Sequence, residues 1–379
     1  MAKRIKIVHL IHGLTMGGAE TLVKDYAMLM DRNKYEIVIL CYEHTGSPYE
    51  KLLVSSGIKV IFCSDPWEKW KQYGIIGKFI RHYGLYFSIR KHLRREAPDI
   101  IHLHLLVSRY VLFSHVKRNT GLIYTVHTEP ECLWDKKSIK SRIDFYAARR
   151  LVKMYGMRFI ALHDEMRKKV DRLFGVNNTV VVNNGIDFEP FQKRISPDAA
   201  RKRLQIPKDR FVVGHVGRFA ESKNHGFLID IFEEVLKRNA KAYLLLIGDG
   251  EGKTHIQAEL EKRGLTGKFQ IRSNRTDISD LMSAMDRFVF PSKQEGLGIV
   301  VIEAQIAGLP CVVSDRVPQA TQISNRIEYH SLEESASQWA DAVCRKDRDD
   351  DIAYYHLEEW DMKNIIGQLE KIYARQIRE

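Results

Sequence analysis

Residues 287–314 read RFVFPSKQEGLGIVVIEAQIAGLPCVVS, and the pattern of this stretch changes three times. RFVFPS and LPCVVS are short runs of mainly β-branched and aromatic residues, which are typical of buried strands. Between them lie a loop with two glycines and an apolar, helix-like run that begins near Gly298. A strand, a loop, a helix and a second strand in this order predict a parallel βαβ unit.

The same alternation continues along the rest of the chain. In the first half, seven short apolar runs predict strands: IKIVHLI, YEIVILCY, KVIFCS, PDIIHLH, LIYTVHT, RFIALH and TVVVNNGID. The pattern restarts at FVVGHVGRF, which is followed by four more predicted strands: AYLLLIGDG, KFQIRS, RFVFPS and LPCVVS. We therefore predict an α/β protein with two Rossmann-like, doubly wound parallel sheets. Because ligands of such sheets collect at the carboxyl ends of the strands, we expect the two sheets to face a central cleft.

A turn-rich segment separates the two halves. It reads NNGIDFEPFQKRISPDAARKRLQIPKD, and its asparagine, aspartate and proline residues interrupt the strand and helix patterns. We place the boundary there, which gives a first domain of residues 1–190 and a second of residues 191–354. The segment from about 355 to 379 is helical in pattern, and we expect it to pack back on the first domain.

The composition excludes several classes of protein. Hydrophobic residues make up 44% of the 379 residues, so two ordinary cores can form. No stretch approaches the roughly 20 apolar residues that cross a bilayer, and the start MAKRIKIVHLIHGL fits a first strand better than a signal peptide. The five cysteines are scattered and include no CxxC pair, which suits a reducing cytoplasm and argues against disulfides or a structural zinc site.

Positive charge is concentrated in the first half of the chain. Residues 1–190 hold 31 lysines and arginines against 19 acids, which accounts for the whole formal net charge of +12. Residues 69–95 carry eight of these cations, no acid and six interleaved aromatic side chains. Such a stretch predicts contact with anionic lipid headgroups, and a solvated helix face is the alternative. We see no nucleic-acid-binding signature and expect no nucleic acid partner.

Glycine-rich loops follow two of the predicted strands. The loop HGLTMGG, residues 12–18, precedes a helix and is suited to close approach by an anion, although a structural turn is an alternative. A dinucleotide site is a third interpretation of this loop. Glu43, near the end of the second predicted strand, stands where a ribose-binding acid would, but the glycines of the loop do not have the spacing G-x-G-x-x-G. In LIGDGEGK, residues 246–253, Gly248 and Gly250 form another turn, for which turn formation alone is an equal explanation.

Two cations and two acids form the most specific pattern. In GRFAESKNHG, residues 217–226, Arg218 ends a strand and Lys223 stands before the next helix. Together they predict a clamp for a diphosphate. Glu295 and Glu303 flank a helix start and can accept hydrogen bonds from hydroxyl groups, although a capped helix with solvated acids is the alternative. A polyanion between a sugar and a ribose would account for central cations with acids on either side.

With these motifs, the chain resembles the retaining glycosyltransferases of family 4, which have the GT-B fold. The resemblance covers nearly the whole length and rests on five motifs: MGGAET (16–21), NNGID (183–187), GRFAESKN (217–224), LIGDGE (246–251) and QEGLGIVVIEAQIAGLPCVVS (294–314). In the last motif, Glu295 and Glu303 form the family's Glu-x7-Glu pair. The resemblance implies that a sugar passes from a nucleotide-sugar to an acceptor hydroxyl with its anomeric configuration retained.

The resemblance also implies roles for single residues. Arg218 and Lys223 would hold the donor diphosphate and stabilise the leaving phosphate. Glu303 would bind the donor ribose, and Glu295 the donor sugar. His127, in TVHTEP, would contact the donor sugar, although a lone histidine is more often structural. Glycines and backbone groups would complete the donor site: Gly17, Gly18, Gly248, Gly250, Gly296, Leu297, Gly298 and Ile299.

The implied reaction needs no metal and no other cofactor. The sequence has no Asp-x-Asp at a strand end, and we find no cluster of histidines and cysteines. In the front-face mechanism that the resemblance favours, the leaving phosphate oxygen takes the acceptor proton, so no enzyme nucleophile is required. Two alternatives stay open: a GT-B epimerase that acts on a nucleotide-sugar alone, and a non-catalytic scaffold that binds nucleotide or lipid.

Two departures from the family pattern bear on the donor. His163 and Asp164 stand where the family often has a small residue, and Ile271-Arg272-Ser273-Asn274 replaces a common Phe-Leu-Gly near the nucleotide base. The resemblance to bacterial capsule and exopolysaccharide enzymes favours a UDP-sugar and leaves GDP-mannose open. With the basic first domain, it implies a glycan or lipid-linked acceptor and a cytoplasmic enzyme in peripheral contact with the inner face of the cell membrane.

Overall fold

The computed structural model describes residues 3–135, 138–346 and 351–378. The chain divides into two compact units, one of Met1–Gly185 with Met362–Glu379 and one of Ile186–Asp361. The sequence predicts the two boundaries between these units at residue 190 and at about residue 355. Residue 379, the last of the predicted C-terminal helix, lies outside the described residues.

Fifteen α-helices occur in the described part of the chain. In chain order they are α1 (Gly18–Leu29), α2 (Pro48–Ser55), α3 (Gly74–Glu96), α4 (Ser108–Ser114), α5 (Pro130–Leu133), α6 (Ile139–Tyr155), α7 (Asp164–Phe174), α8 (Glu189–Gln192), α9 (Pro197–Leu204), α10 (His225–Arg238), α11 (Lys253–Lys262), α12 (Ile278–Met282), α13 (Ile299–Ile306), α14 (Ala336–Cys344) and α15 (Met362–Arg378). Short 3₁₀ helices cover Asp65–Tyr73, Glu221–Lys223, Gln319–Thr321 and Leu357–Trp360. Among the described residues, no helix is long and apolar enough to cross a membrane.

The first unit is built on a seven-stranded parallel sheet. Its strands are β1 (Ile5–Ile11), β2 (Tyr35–Cys41), β3 (Lys59–Phe62), β4 (Ile100–His104), β5 (Gly121–Thr125), β6 (Arg158–Ala161) and β7 (Val180–Val181). They lie in the order β3-β2-β1-β4-β5-β6-β7, and every predicted strand of this half is confirmed. The order reverses between β1 and β4, so the loops that follow these strands diverge and leave room for a ligand.

The second unit is built on a six-stranded parallel sheet. Its strands are β8 (Phe211–Val216), β9 (Ala242–Ile247), β10 (Phe269–Arg272), β11 (Arg287–Phe290), β12 (Cys311–Ser314) and β13 (Ile327–His330). They lie in the order β10-β9-β8-β11-β12-β13, which reverses between β8 and β11. The sequence analysis missed β13, because IEYH is short and half polar. Pairing with β12 at the sheet edge makes this segment a strand.

Helix α15 returns the chain to the first unit. Its apolar residues recur at helical spacing, and Met362, Ile365, Leu369 and Tyr373 are buried in the core of that unit. Burial of each such side chain contributes about 1.5–3 kcal/mol. The start of α15 lies close to Gly185. A Cβ at Gly185 would lie 2.8 Å from the Cα of Met362, so any side chain there would push α15 away from Gly185.

Candidate active site

The predicted site residues follow the strands at which each sheet reverses its order, or a strand beside them. In the second unit, Arg218 and Lys223 follow β8, and Glu295 follows β11. In the first unit, Gly17 follows β1 and His127 follows β5. Since all strands within a sheet run parallel, each group lies at the carboxyl edge of its own sheet, where ligands of this architecture bind.

Lys223 and Glu295 are in direct contact. The Lys223 ammonium donates a hydrogen bond to Oε1 of Glu295, although 72 residues separate them in the chain. The same ammonium lies 5.0 Å from the centroid of the Phe290 ring, which limits its freedom on the side of the sheet. Both side chains are mostly buried, with 19% of Lys223 and 8% of Glu295 exposed. The contact therefore sets the positions of both groups before any ligand arrives.

A buried serine fixes the carboxylate of Glu295. Oγ of Ser292 lies 2.5 Å from Oε1 of Glu295 and 2.8 Å from the carbonyl oxygen of Ser222. Ser314 in turn donates to the carbonyl oxygen of Ser292 at 2.5 Å. Among the described residues, the side-chain bonds of Glu295 fall on Oε1, so Oε2 is available to a hydroxyl group. The sequence analysis missed Ser292, which is recognisable as a polar residue that ends the apolar run RFVFPS.

Gly248 and Gly250 position the segment that carries Arg218. A Cβ at Gly248 would lie 1.9 Å from the carbonyl oxygen of Gly217, and one at Gly250 would lie 2.8 Å from that of Phe219. Only glycine permits this close approach of two backbones. These contacts explain both glycines by turn packing, without a ligand. The Arg218 side chain is exposed, and no hydrogen bond or ion pair engages it within the described residues.

A strained turn holds Lys223. The lysine ends the 3₁₀ helix Glu221–Lys223, and Asn224 follows with a φ of 56°, a left-handed conformation. Asparagine tolerates this conformation better than most residues, which explains the Lys-Asn pair in the sequence. The next residue, His225, begins α10, and its ring stacks on Phe219 at 4.6 Å. The turn is thus anchored to the same segment that carries Arg218.

Helix α13 carries the second glutamate of the pair. Gly298 precedes it with a φ of 81°, a conformation that favours glycine, and Leu297 is buried beneath the loop. A Cβ at Gly298 would lie 3.6 Å from Cγ of Glu295, so the loop and the first glutamate are in contact. Glu303 lies within the helix and is partly buried. Gly296 and Ile299 are both partly exposed.

Two carboxylates lie near the loop after β1, although the sequence predicts that this loop is suited to binding an anion. At Gly18, a Cβ would meet no atom within 4 Å of the described chain, so the start of α1 is accessible. However, the carboxylate of Glu20 lies in the first turn of α1 and accepts a hydrogen bond of 2.8 Å from Thr15. This carboxylate already interacts with the positive end of the helix. Glu43, the residue that favours a dinucleotide, forms an ion pair of 3.0 Å with Arg81.

His127 is the end of a row of hydrogen-bonded histidines. Its Nε2 lies 2.9 Å from Nδ1 of His104, and Nε2 of His104 lies 3.1 Å from Nδ1 of His9. Burial lowers the pKa of His9 and of His127 to about 3, and burial and neighbouring rings hold that of His104 well below its usual range. All three rings are therefore neutral at physiological pH.

The statement from sequence that the chain has no histidine cluster is wrong. Within the described residues, His9, His102 and His104 offer nitrogen atoms that all lie within 4.8 Å of one another. Parallel pairing places His9 of β1 opposite His102 of β4, which no local pattern reveals. Both ring nitrogens of His102 already have partners, Tyr373 at 2.8 Å and Thr125 at 2.7 Å. This cluster therefore fits hydrogen bonding better than metal ligation.

The departures from the family pattern have structural explanations. His163 stands at the N-cap of α7, and its Nδ1 accepts a hydrogen bond of 3.2 Å from the backbone of Met166. Asp164 begins that helix, where an acid interacts favourably with the helix dipole. Ser273 donates a hydrogen bond of 2.7 Å to the carbonyl oxygen of Gly248. These residues thus stabilise the strand-end loops in which they lie.

Two family models match most of the chain. Residues 16–190 match the model described as Glycosyltransferase Family 4, and residues 197–345 match the model described as Glycosyl transferases group 1. The division between the two matches falls in the turn-rich segment that follows the first unit. Both halves of the chain are therefore similar to glycosyltransferases.

Named proteins show the same similarity. The chain is 27% identical over 355 residues to the putative glycosyltransferase EpsF of Bacillus subtilis. This alignment covers 90% of this chain and 87% of that protein. The chain is 25% identical over 324 residues, 82% of this chain and 80% of that protein, to the UDP-Gal:alpha-D-GlcNAc-diphosphoundecaprenol alpha-1,3-galactosyltransferase of Escherichia coli. HepE of Anabaena, solved with UDP and glucose, matches with a TM-score of 0.71 at 18% identity, over 98% of this chain and 100% of that one.

Proposed function

Since this chain belongs to the glycosyltransferases of family 4 and has the GT-B fold, we propose that it moves a hexose from a nucleotide-sugar to a hydroxyl group. The donor is a UDP-sugar, and the acceptor is a glycan or a lipid-linked sugar of bacterial surface polysaccharide synthesis. The transfer retains the anomeric configuration and uses no metal ion. The second unit binds the donor, and the first binds the acceptor.

The contact between Lys223 and Glu295 carries this proposal. A diphosphate between Arg218 and Lys223 receives charge-assisted hydrogen bonds from both side chains. Because Glu295 touches the ammonium that holds the phosphate, its carboxylate lies beside the group attached to that phosphate. In a nucleotide-sugar that group is the sugar, whose hydroxyls donate to Oε2. Glu303 then accepts hydrogen bonds from the ribose at the other end of the diphosphate.

The surroundings of Glu295 suit binding better than nucleophilic attack. Its Oε1 is engaged by Lys223 and Ser292, and the paired positive charge makes the carboxylate a weak nucleophile. Lys223 and Arg218 instead stabilise the negative charge that develops on the leaving phosphate. The phosphate oxygen accepts the proton of the acceptor hydroxyl on the same face of the sugar. This front-face reaction retains the configuration without a covalent intermediate.

Similar proteins support the choice of donor and acceptor. HepE is solved with UDP and glucose, and the relative from Escherichia coli is named for transfer from UDP-galactose to a sugar on diphosphoundecaprenol. EpsF, AmsD and CapH are named as glycosyltransferases, the last two of amylovoran and capsular polysaccharide biosynthesis. We infer that the acceptor of this chain also lies on a lipid carrier and that GDP-sugars bind more weakly than UDP-sugars.

A basic apolar surface on the first unit fits such an acceptor. We call it the α3 face; its exposed apolar residues are Tyr73, Ile75, Ile76, Phe79, Tyr83 and Phe87. Ile75 and Ile76 are 74% and 71% exposed, so the amphipathic helix turns apolar side chains outward, unlike an ordinary solvated face. Lys71, Lys78 and Lys91 are exposed on the same segment. We propose that this face rests on the anionic inner surface of the cytoplasmic membrane.

The inner side of helix α3 is packed against the preceding segment, so the helix cannot rotate to bury these apolar residues. The 3₁₀ helix Asp65–Tyr73 lies against it, and a Cβ at Gly77 or Gly84 would collide with Trp70 or Trp67. Glycine inside a helix costs about 1 kcal/mol relative to alanine, so close packing explains why two glycines stand there. The apolar residues on the other side therefore remain outward.

Thermal unfolding with nucleotides tests the donor proposal. The protein is melted with UDP, GDP and ADP and with their sugars, in the presence of a chelator. A nucleotide at one hundred times its Kd adds about 2.7 kcal/mol of stability, which raises the melting temperature by several degrees. We expect the largest rise with UDP and its sugars, a smaller rise with uridine monophosphate, and none with UDP in an Arg218→Ala/Lys223→Ala variant.

The outcome separates the competing functions. No rise with any nucleotide would contradict the transferase and favour a scaffold that binds lipid. The melting temperature could also rise while NMR shows that the enzyme converts the donor into an epimer when no acceptor is present. That result would contradict transfer to an acceptor. Transfer to a lipid-linked sugar with an inverted product would contradict the front-face reaction while leaving the donor site intact.

A further inference from the structure

Four histidines of the first unit, His9, His102, His104 and His127, are in ring contact on one side of its sheet. His102 and His104 are two residues apart on β4, so their side chains point to the same side. His9 is the register partner of His102, and His104 is that of Thr125, two residues before His127. Tyr26 of α1 and Tyr373 of α15 pack against these rings. The family resemblance implies a role for His127 at the donor sugar and leaves the other three histidines unexplained.

His9, His104 and His127 form a continuous chain of hydrogen bonds, which we call the histidine row. The distances are 3.1 Å between His9 and His104 and 2.9 Å between His104 and His127. Each neutral imidazole has one N–H donor and one bare nitrogen that accepts. Both bonds of the row must therefore run in the same direction, and the proton position in one ring determines that in the next.

The proton count leaves two possible states. Three neutral rings offer three N–H groups, and two of these are used within the row. The third N–H lies at one end of the row and a bare nitrogen at the other. The end atoms are Nε2 of His9 and Nδ1 of His127, which are buried and without a hydrogen-bond partner among the described residues. One of them is an N–H group, and the other is an acceptor.

The surroundings of the two ends favour one state. His9 is fully buried at the centre of the sheet, where an unpaired N–H costs about 1–3 kcal/mol and is rarer than an unpaired acceptor. His127 follows β5 at the carboxyl edge of the sheet, and its side chain is partly exposed there, although Nδ1 itself is covered in the ligand-free chain. A ligand can therefore provide an acceptor at that end. The unpaired N–H belongs at His127.

We propose that His104 and His9 are positioning residues that hold His127 in the tautomer with its proton on Nδ1. His9 donates to His104, His104 donates to Nε2 of His127, and Nδ1–H of His127 is left to donate to a ligand oxygen. His127 is thus a hydrogen-bond donor, and its only bare nitrogen is occupied by His104. The tautomer is argued from the structure alone; the assignment of that oxygen to the donor sugar follows the family resemblance and rests on the proposed function.

A metal site is the competing explanation of the same rings. A metal ion would need bare nitrogens directed at one point, and a structural zinc site takes four ligands. Both nitrogens of His102 are engaged by Tyr373 and Thr125, and both nitrogens of His104 by His9 and His127. A bound ion would have to break several of these bonds. Hydrogen bonding accounts for the row without one.

The tautomer can be observed directly. Long-range proton–nitrogen NMR of the full chain labelled with ¹⁵N-histidine distinguishes a protonated ring nitrogen from a bare one, and the signals of His127 are assigned from their loss in His127→Gln. Spectra are recorded without ligand and with a chelator. We expect His127 to carry its proton on Nδ1. A proton on Nε2 of His127 would overturn the proposal, whatever the activity of the enzyme.

Two substitutions of His104 form a matched pair. In His104→Asn, the side-chain amide stands near the position of Nδ1 and can still donate to His127. In His104→Gln, the amide stands near the position of Nε2, keeps contact with His9 and loses His127. Since the two variants are similar in polarity, their melting temperatures should be similar. We expect the spectrum of His127 to be preserved in the first and changed in the second.

Kinetics separates a failure of this proposal from a failure of the proposed function. We expect kcat/KM for the donor to fall about tenfold in His104→Gln relative to His104→Asn, which corresponds to one lost hydrogen bond. An unchanged His127 spectrum in His104→Gln would overturn the positioning role. A changed spectrum with unchanged kinetics would support the positioning role and contradict the placement of His127 at the donor sugar.

Discussion

At the scale of single residues, three neighbouring features fix the position of Lys223. The left-handed turn at Asn224 directs it, the Phe290 ring lies beneath it, and Glu295 accepts its hydrogen bond. A diphosphate between Lys223 and Arg218 would add negative charge to a site that already contains the Glu295 carboxylate. The ammonium is therefore required to offset both charges, and we expect the site to be sensitive to its loss.

Replacement of Lys223 by alanine tests this requirement. We expect kcat to fall by about a hundredfold or more, as for the loss of one preorganised charge at a developing anion. Lys293→Ala is a matched control, because Lys293 lies in the neighbouring loop, is 48% exposed and pairs only with the exposed Glu221 among the described residues. The control should stay within twofold of the parent in a transfer assay. Equal activity of both variants would contradict the diphosphate clamp.

At the scale of elements, helix α3 joins a packed side to an apolar outer side. Gly77 and Gly84 bring the Asp65–Tyr73 segment against it, and the α3 face is left with residues that water solvates poorly. Exposed apolar patches of this kind indicate an interaction surface. Helix α6 adds two exposed apolar residues, Ile139 and Tyr146. Positive charge also lies close to α3, because the pKa of His82 is lowered first by burial and then by Arg109 and Lys140.

Flotation with lipid vesicles tests the membrane contact. We expect the protein to float with vesicles of phosphatidylcholine and phosphatidylglycerol and to stay behind with phosphatidylcholine alone. The variant Ile75→Ser/Ile76→Ser/Phe79→Ser should lose at least about tenfold in affinity, because each buried side chain contributes about 1.5–3 kcal/mol. Val54→Ser, on α2, removes an exposed apolar residue away from α3 and should bind normally. Equal flotation with both vesicle types would contradict an anionic partner.

At the scale of the whole molecule, two sheets of the same construction carry different side chains at their ligand-binding edges. The edge of the second sheet carries Arg218, Lys223 and Glu295, which are suited to a charged donor. The edge of the first carries neutral buried histidines and accessible backbone at Gly18. Among these side chains Glu295 is the one carboxylate, and its Oε1 is already engaged by Lys223 and Ser292, whereas a catalytic magnesium or manganese ion prefers carboxylate oxygens as ligands. We therefore expect the reaction to proceed without a metal ion.

Chelation tests this expectation on the complete enzyme. The protein is dialysed against EDTA, its metal content is measured, and transfer is assayed with and without added cations. We expect kcat/KM to stay within about twofold of the untreated enzyme, since the stabilising charges belong to side chains. Loss of activity that magnesium or manganese restores would contradict the metal-free reaction. Loss that only zinc restores would instead indicate ligation by His9 and His104.

Much of the fold could be predicted from the sequence because its strands are local apolar runs. All seven strands of the first sheet are predicted, as are five of the six in the second. The exception, β13, is short and half polar, and its pairing with β12 makes it a strand. The turn glycines are also predicted, although the role of Gly248 and Gly250 against the Arg218 segment depends on a contact between distant loops.

The sequence by itself determined the alternation of strands and helices, the charge of the first half and the residue types of the donor motif. Each of these is a property of neighbours in the chain. The tertiary structure decided that Lys223 meets Glu295 through the adjacency of β8 and β11, that Ser292 fixes the carboxylate, and that three histidines from β1, β4 and the loop after β5 form one row. These depend on strand order and register, which follow from the packing of the whole sheet.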